Sequence, residues 1–193
     1  GTLVRVSTNL DLSTLPNLRT DPETRDSFLG ALSSDAMVVG RTYFVDALGA
    51  WVIPIRKAIR SPSGEVVAVM TAGMRLDGSG SVFGKTLHDG DSDTVMLFRE
   101  TDGYVQFMSA DGIGPQQYSQ IRVPMDQREI NRAAFEKELG KSVEEVMQGS
   151  DSVVIRTRRQ GEDYLTAAVF NARYQLWSIS ETRFAPLYRE FLQ

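Results

Sequence analysis

The chain has 193 residues, 41% of them hydrophobic and 24% charged, which is the composition of a globular protein with one large or two small domains. Its formal net charge of −4 provides no basic surface for nucleic acid. The absence of cysteine excludes thiol catalysis, disulfides and cysteine-ligated zinc. No run approaches the roughly 20 apolar residues that a membrane helix needs. We therefore expect a folded domain that does not bind nucleic acid.

The first half of the chain alternates strand patterns with one helix start. Asp21 is a predicted helix cap, Pro22 lies in the first turn, and Phe28, Leu29 and Leu32 form the apolar face. The predicted elements are a strand at 3–7, a helix from 21, and strands at 37–44, 51–59 and 66–76. The residues 61–64, Ser-Pro-Ser-Gly, predict a hairpin turn between the last two strands.

A glycine- and serine-rich charged segment at 77–93 predicts a boundary between two modules. The predicted elements after it are strands at 94–99 and 104–109, a helix at 127–147, strands at 152–158, 163–170 and 174–180, and an amphipathic helix at 182–193. The chain opens in a strand pattern and closes in a helix pattern without a cap. We expect further segments, including membrane anchors, outside this chain.

The two halves share an order of elements. The residues 38–42, Val-Val-Gly-Arg-Thr, are similar to 153–157, Val-Val-Ile-Arg-Thr, and each half predicts a strand, a helix and three antiparallel strands. Such a repeat favours an internal duplication. The predicted fold class is α+β, with two tandem modules at 1–80 and 81–193, each with a central antiparallel sheet flanked by helices.

The sequence contains no arrangement typical of an enzyme. The only histidine, His88, lies in the boundary segment and lacks a nucleophile partner. The glycines at 78–84 lack the spacing of a phosphate-binding loop, and the aspartates at 89–93 lack the later glutamate of an EF-hand. We therefore predict no catalytic residue, no metal and no cofactor.

Five stretches of the chain carry a resemblance to a known family. They are residues 21–28, 39–44, 51–59, 63–67 and 174–180. The first four are similar to the membrane-distal module of double Cache (PAS-like) sensor domains of bacterial transmembrane receptors, and the fifth is similar to the exit from the membrane-proximal module. One departure is that the long helix with which such domains begin is missing.

The resemblance implies a location and a role. It implies the periplasmic or extracellular part of an inner-membrane receptor that is a homodimer when intact. A small molecule would bind the distal module and signal to a cytoplasmic diguanylate cyclase, histidine kinase or chemoreceptor output. The alternative is the same fold acting as a dimerisation or protein-interaction module without a small ligand. A small hydrolase is a third hypothesis, which lacks a nucleophile and base.

The candidate ligand-binding residues lie on the predicted strands of the first half. Alternation places Arg41 and Tyr43 on one strand face, and it places Trp51 and Arg56 on opposite faces of the next strand. Arginine forks bind carboxylates at two points, and aromatic walls exclude water from that contact. We predict that Arg41, Tyr43 and Trp51 line one concavity, with Arg56 as a further site residue. The alternative is that Trp51 is core and the arginines are solvated or paired.

The resemblance also bears on the class of ligand. Amino-acid-sensing relatives carry an acidic residue on the last distal strand, where this chain has Gly73. They also carry an aromatic pair after a helix arginine, whereas Arg25 is followed by Asp26 and Ser27. The resemblance thus implies a small organic acid, held by Arg25, Arg41 or Arg56 with no facing carboxylate.

In the second half, Arg156, Tyr164 and Trp177 occupy comparable places. The resemblance implies packing and signal relay for these residues, because proximal modules often hold no ligand. The terminal helix at 182–193 would pass a ligand-driven shift to the membrane.

Overall fold

The computed structural model describes residues 1–4, 11–76, 94–109, 112–149, 151–159 and 161–184. The chain forms two compact units, Gly1–Thr86 and Leu87–Gln193. Each unit contains an antiparallel sheet with short helices, which confirms the α+β class. Within the described ranges, no helix is long and apolar enough to cross a membrane. The predictions for His88 and for the segments 78–84 and 89–93 lie outside the described residues.

The sheet of the first unit is organised around one long strand. Its elements are α1 (Arg25–Ser33), β1 (Val38–Val39), β2 (Tyr43–Val45), β3 (Ala50–Arg60) and β4 (Val66–Arg75), with 3₁₀ turns at Leu12–Thr14 and Asp46–Leu48. β4 pairs with one edge of β3, while β1 and β2 both pair with the other edge. The apolar and β-branched residues in the first part of β3 suit this central position, because both faces are covered there, whereas Lys57, Ile59 and Arg60 are exposed.

The continuous strand predicted at 37–44 is wrong, because β1 and β2 are separate. Val39 pairs with Ile55, whereas Tyr43 pairs with Val52, so the register slips by one residue between them. The slip follows Gly40, whose amide still bonds to the carbonyl of Pro54 at 2.8 Å in the register of β1. An extra residue of this kind changes which side chains share a face.

The helix of the first unit begins later than predicted. Asp21 accepts hydrogen bonds from the amides of Glu23 and Thr24 at 3.1 and 3.0 Å, so it caps a turn that leads into α1. The buried residues of α1 are Ser27, Phe28 and Ala31, whereas the predicted apolar residues Leu29 and Leu32 are only half-buried. The strand predicted at 3–7 is not present at residues 3–4, and its remainder lies outside the described residues.

The sheet of the second unit has five strands in the order β6-β5-β9-β8-β7. The elements are β5 (Thr94–Arg99), β6 (Val105–Ser109), α2 (Pro115–Tyr118), α3 (Met125–Leu139), α4 (Val143–Gln148), β7 (Val153–Arg159), β8 (Glu162–Asn171) and β9 (Leu176–Arg183). Residues of α4, β7, β8 and β9 form one core cluster: Val143, Val146, Val153, Ala168, Phe170 and Trp177.

Two helix predictions in the second unit need correction. The helix predicted at 127–147 is two helices, because Gly140 ends α3 in a left-handed conformation (φ 69°) and Ser142 caps α4. The helix predicted at 182–193 is wrong at its start. Thr182 and Arg183 continue β9, where backbone pairing with β8 extends the strand. Residues 185–193 lie outside the described residues.

Candidate functional site

The first unit buries an arginine on its central strand. The Arg56 side chain has no solvent exposure. Its Nη1 donates a hydrogen bond to Oγ of Ser27 on α1, and that hydroxyl donates to the carbonyl of Thr24 at 3.0 Å. Thr24 is itself fully buried and donates to the carbonyl of Leu18 at 3.3 Å. A short polar chain therefore connects β3 to the start of α1 through an otherwise apolar interior.

Arg56 has hydrogen-bonding capacity that this chain of contacts does not use. Among the described residues, its Nε and Nη2 are buried without a hydrogen-bond partner, and so is Oγ1 of Thr71. Thr71 lies directly opposite Arg56 across the β3–β4 pairing, so the two side chains leave the sheet on the same face. A buried donor without a partner costs about 1–3 kcal/mol, and more when it is charged. These atoms are buried polar groups whose hydrogen-bonding capacity an acceptor could use.

Tyr43 faces the same side of the sheet. It lies opposite Val52, which alternation places on the Arg56 face of β3. Burial raises the pKa of the Tyr43 hydroxyl, and the nearby Arg56 guanidinium partly opposes that rise. Burial likewise lowers the pKa of Arg56, and Tyr43 opposes the change. An arginine remains a cation even so, so the positive charge stays in this interior.

Carboxylates lie near this charge, contrary to the expectation of a site with no facing carboxylate. Asp21 acts electrostatically on both Arg56 and Tyr43. The pKa of Glu23 is raised, first by burial and then by Asp21, while Arg41 opposes the rise. Within the described ranges, no group of three or more acidic or histidine side chains is arranged to hold a metal ion. The surroundings therefore offer a cation with acidic groups beside it.

The structure does not bring Trp51 to this face. Trp51 lies opposite Phe44, on the other side of the sheet from Tyr43, and its ring packs against Phe44 with centroids 5.5 Å apart. The predicted concavity of Arg41, Tyr43 and Trp51 is therefore wrong in its geometry. The register slip between β1 and β2 determines which residue of β3 lies opposite each residue of β2. The sequence pattern does not show this slip.

The other predicted site residues lie in three different parts of the first unit. Arg41 is half-buried between β1 and β2, within electrostatic reach of Glu23. Arg25 is the exposed first residue of α1. Gly73 lies opposite Pro54 on the Arg56 face, where an added β-carbon would make ordinary contact with Val52 at 3.5 Å. The structure thus places Tyr43, Arg56 and Gly73 on one face of the sheet, whereas Trp51 lies on the other face and Arg25 is exposed on α1.

Sequence reasoning missed Thr24, Ser27 and Thr71. Thr24 and Ser27 are three residues apart at the start of α1, so they share a helix face, which continues to the buried Ala31. Small polar residues on the inward face of a helix are the signal that these positions serve a buried polar group. Thr71 carries no such signal, because its role depends on the pairing of β4 with β3.

The comparable residues of the second unit have structural partners. Arg156 is exposed, and its Nη2 donates to Oδ2 of Asp163 at 2.6 Å, which lowers the pKa of that carboxyl. The Tyr164 hydroxyl donates to Glu162 at 3.0 Å. Trp177 is part of the core, with its indole against Phe170. The predicted packing role therefore fits Trp177, while Arg156 forms a surface ion pair.

No protein-family model and no curated protein matches the chain. Among solved structures, the chain is similar to the periplasmic sensory domain of the Campylobacter jejuni chemoreceptor Tlp1, with a TM-score of 0.51 and 15% identity over 85% of this chain and 55% of that one. The ligand-binding domain of the Pseudomonas fluorescens chemoreceptor CtaA in complex with L-leucine matches with a TM-score of 0.49 and 15% identity, over 87% of this chain and 62% of that one.

The chain therefore spans a little over half the length of these sensor domains. At 15% identity the likeness to the Tlp1 domain concerns the fold alone. It confirms the resemblance on which the sequence analysis relied, at the level of the fold. The matched part of the chain has the fold of about half of that periplasmic sensory domain.

Proposed function

We propose that this chain is the extracytoplasmic, ligand-sensing part of a bacterial transmembrane receptor and not an enzyme. In this proposal its two PAS-like modules are residues 1–80 and 81–193, and the first binds a small carboxylate. The intact receptor would be a homodimer with a cytoplasmic diguanylate cyclase, histidine kinase or chemoreceptor output. The observation that carries the proposal is the buried Arg56 guanidinium, with two nitrogens unpartnered among the described residues.

The chemistry of this position favours a carboxylate. The Nε and Nη2 atoms of an arginine form a fork that matches the two oxygens of a carboxylate. The hydroxyl of Thr71 is also without a partner among the described residues. The hydroxyl of Tyr43, on the same face, already shares a hydrogen bond with Arg56. A bound carboxylate would neutralise a buried charge and satisfy up to three donors.

The ligand can carry a second group. Asp21 and Glu23 act electrostatically on Arg56, Tyr43 and Arg41. An ammonium group on the ligand would find these acidic partners, so amino acids belong in the test beside simple organic acids. Binding of the ligand to Arg56 would also alter the hydrogen bond from Arg56 to Ser27. The position of α1 on the sheet would then change, as the first step of a signal.

A thermal-shift screen over organic acids, amino acids and amines tests the proposal. A ligand present at 100 times its dissociation constant stabilises the folded state by about 2.7 kcal/mol, which gives a clear shift. The proposal predicts a shift with at least one carboxylate, lost in Arg56→Met and kept in Arg156→Met, which changes an exposed arginine. A shift that is equal in the parent and in Arg56→Met would contradict the assignment of the site.

A protein-interaction module without a small ligand is the second candidate. β4 favours it, because Val67 and Met70 on this strand are 62% and 55% exposed. Apolar side chains on an exposed strand are a common basis for pairing with a second chain. A screen without any shift, together with a concentration-dependent dimer in sedimentation equilibrium that Met70→Lys abolishes, would support this candidate over ligand sensing.

A further inference from the structure

The second unit contains a cavity of about 540 Å³ between α3 and the sheet. Its walls come from three strands and the helix, and its apolar lining includes Met96, Phe98, Phe135, Ala168, Trp177 and Ile179. Pockets that bind small organic molecules typically measure about 300–1,000 Å³ and have mainly apolar walls. The cavity therefore has the size and the lining of a ligand site, and neither the sequence patterns nor the proposed carboxylate site assigns a role to it.

The cavity exists because α3 covers the sheet without packing tightly on it. None of the residues of α3 is buried, and Met125 and Ile130 are 63% and 62% exposed. Only Phe135 and Leu139, in the second half of the helix, pack against the core cluster. A helix normally buries an apolar stripe against its neighbour. Here the first half of α3 leaves that space open.

Glu100 organises the polar side of the cavity. Its Oε1 accepts hydrogen bonds from Nη2 of Arg128 at 2.8 Å and from Nη2 of Arg132 at 3.3 Å. Its Oε2 accepts one from the indole Nε1 of Trp177 at 2.9 Å. Arg132 also donates to Glu144. The Glu100 carboxylate thus accepts three hydrogen bonds from the protein, and a charged ligand would have to compete with them.

The charges that line the cavity balance. The lining has two carboxylates, Glu100 and Glu129, and two guanidinium groups, Arg128 and Arg132, and Glu100 forms ion pairs with both arginines. An anionic ligand would meet the carboxylates and a cationic ligand the guanidinium groups, and either would disturb ion pairs already formed. An uncharged molecule meets neither penalty. Its polar group can reach Thr101 or Asn131, which are the uncharged polar residues of the lining.

We propose that this cavity binds an uncharged, mainly apolar organic molecule, of which an aromatic compound with one hydrogen-bonding group is the best fit. The rings of Phe98, Phe135 and Trp177 supply aromatic contacts for it. The site lies wholly in the second unit, so it does not depend on the proposed carboxylate site in the first. The chain would then respond to two chemically different ligands, one in each unit.

The probe for the test is 1-N-phenylnaphthylamine, an uncharged aromatic fluorophore that accepts energy from tryptophan. The chain has two tryptophans, so the Trp51→Phe variant leaves Trp177, in the cavity wall, as the only donor. Titration of this variant should quench Trp177 and saturate at one probe per chain. A linear, unsaturable response would overturn the proposal.

Two matched variants, made in the Trp51→Phe background, locate the binding. Ala168→Met extends a side chain into the cavity, whereas Ala167→Met makes the same change on the opposite face of β8. Loss of the cavity volume should weaken probe binding by about 10-fold or more in the first variant and leave it nearly unchanged in the second. Ile179→Phe, at a half-buried position of the wall, should weaken binding as well and covers the case in which Ala168→Met does not fold. Equal affinities in all three variants would refute the site.

Discussion

Replacement of Glu100 by alanine should destabilise the second unit strongly. The change removes the acceptor shared by Arg128, Arg132 and the indole of Trp177. The Arg128 and Glu100 side chains are only 13% and 18% exposed, so solvent replaces little of what is lost. Breaking a fully buried ion pair costs roughly 3–5 kcal/mol, and partial exposure reduces this to about 2–3 kcal/mol here.

A matched control is Glu144→Ala. Glu144 pairs with the same Arg132 but is 59% exposed, so its loss should cost less than about 1 kcal/mol. Glu100→Gln should be intermediate, because the amide oxygen still accepts hydrogen bonds, whereas the amide nitrogen cannot accept the bond that the second carboxylate oxygen accepted. Comparison of the three variants separates the stability that the buried hydrogen bonds of Glu100 contribute from the stability that a surface ion pair contributes.

The assay is urea unfolding followed through Trp177 fluorescence in the Trp51→Phe background, which reports on the second unit alone. This choice matters because a chain of two units need not unfold in a single step. The free energy of unfolding should decrease in the order parent, Glu144→Ala, Glu100→Gln and Glu100→Ala. Equal losses for Glu100→Ala and Glu144→Ala would refute the reasoning.

Three further predictions concern single positions. Gly40→Ala should lower the free energy of unfolding, measured by thermal unfolding, by about 1–3 kcal/mol, because the new β-carbon would lie 2.6 Å from Oγ of Ser27. Gly30→Ala should be tolerated, because its β-carbon would make only one contact, at 3.7 Å. Glu23→Gln should stabilise the fold more at pH 7 than at pH 4. The pKa of Glu23 is raised in the folded protein, so its ionisation destabilises the fold as the pH rises above the pKa that it has in the unfolded chain. An equal effect of the substitution at both pH values would contradict this. Tyr118→Phe should leave the unfolding free energy unchanged or raise it by up to about 1 kcal/mol, because the hydroxyl has no partner among the described residues; a clear loss would show a hidden bond.

The strands were predictable where one pattern dominates the local sequence. β5 has the predicted bounds, and β3 and β4 lie within one residue of theirs, because apolar and β-branched runs are bounded there by turn residues. The break between β1 and β2 was not predictable. It depends on Gly40 lying against Ser27, Pro54 and Arg56, which are distant in sequence.

The candidate site was predictable only in part. Alternation correctly separates Trp51 from Arg56, because both lie on one regular strand. It fails for Tyr43, because the register slip changes which residue of β3 it faces. An arginine is expected at the surface unless it is paired, which holds for the exposed Arg25, so the burial of Arg56 was not readable from the pattern. Only the packing of α1 over β3 shows that Arg56 meets Ser27.

The most direct test of the central claim is a calorimetric titration of the best carboxylate from the screen into the parent protein, Arg56→Met and Arg156→Ala. Hydrogen bonds to a charged group are worth about 1.5–3 kcal/mol, so Arg56→Met should lose roughly 10- to 150-fold in affinity. Arg156→Ala changes an exposed arginine of the second unit and should bind as the parent does. Equal affinities for the parent and Arg56→Met would show that Arg56 is a structural arginine and not the ligand-binding one.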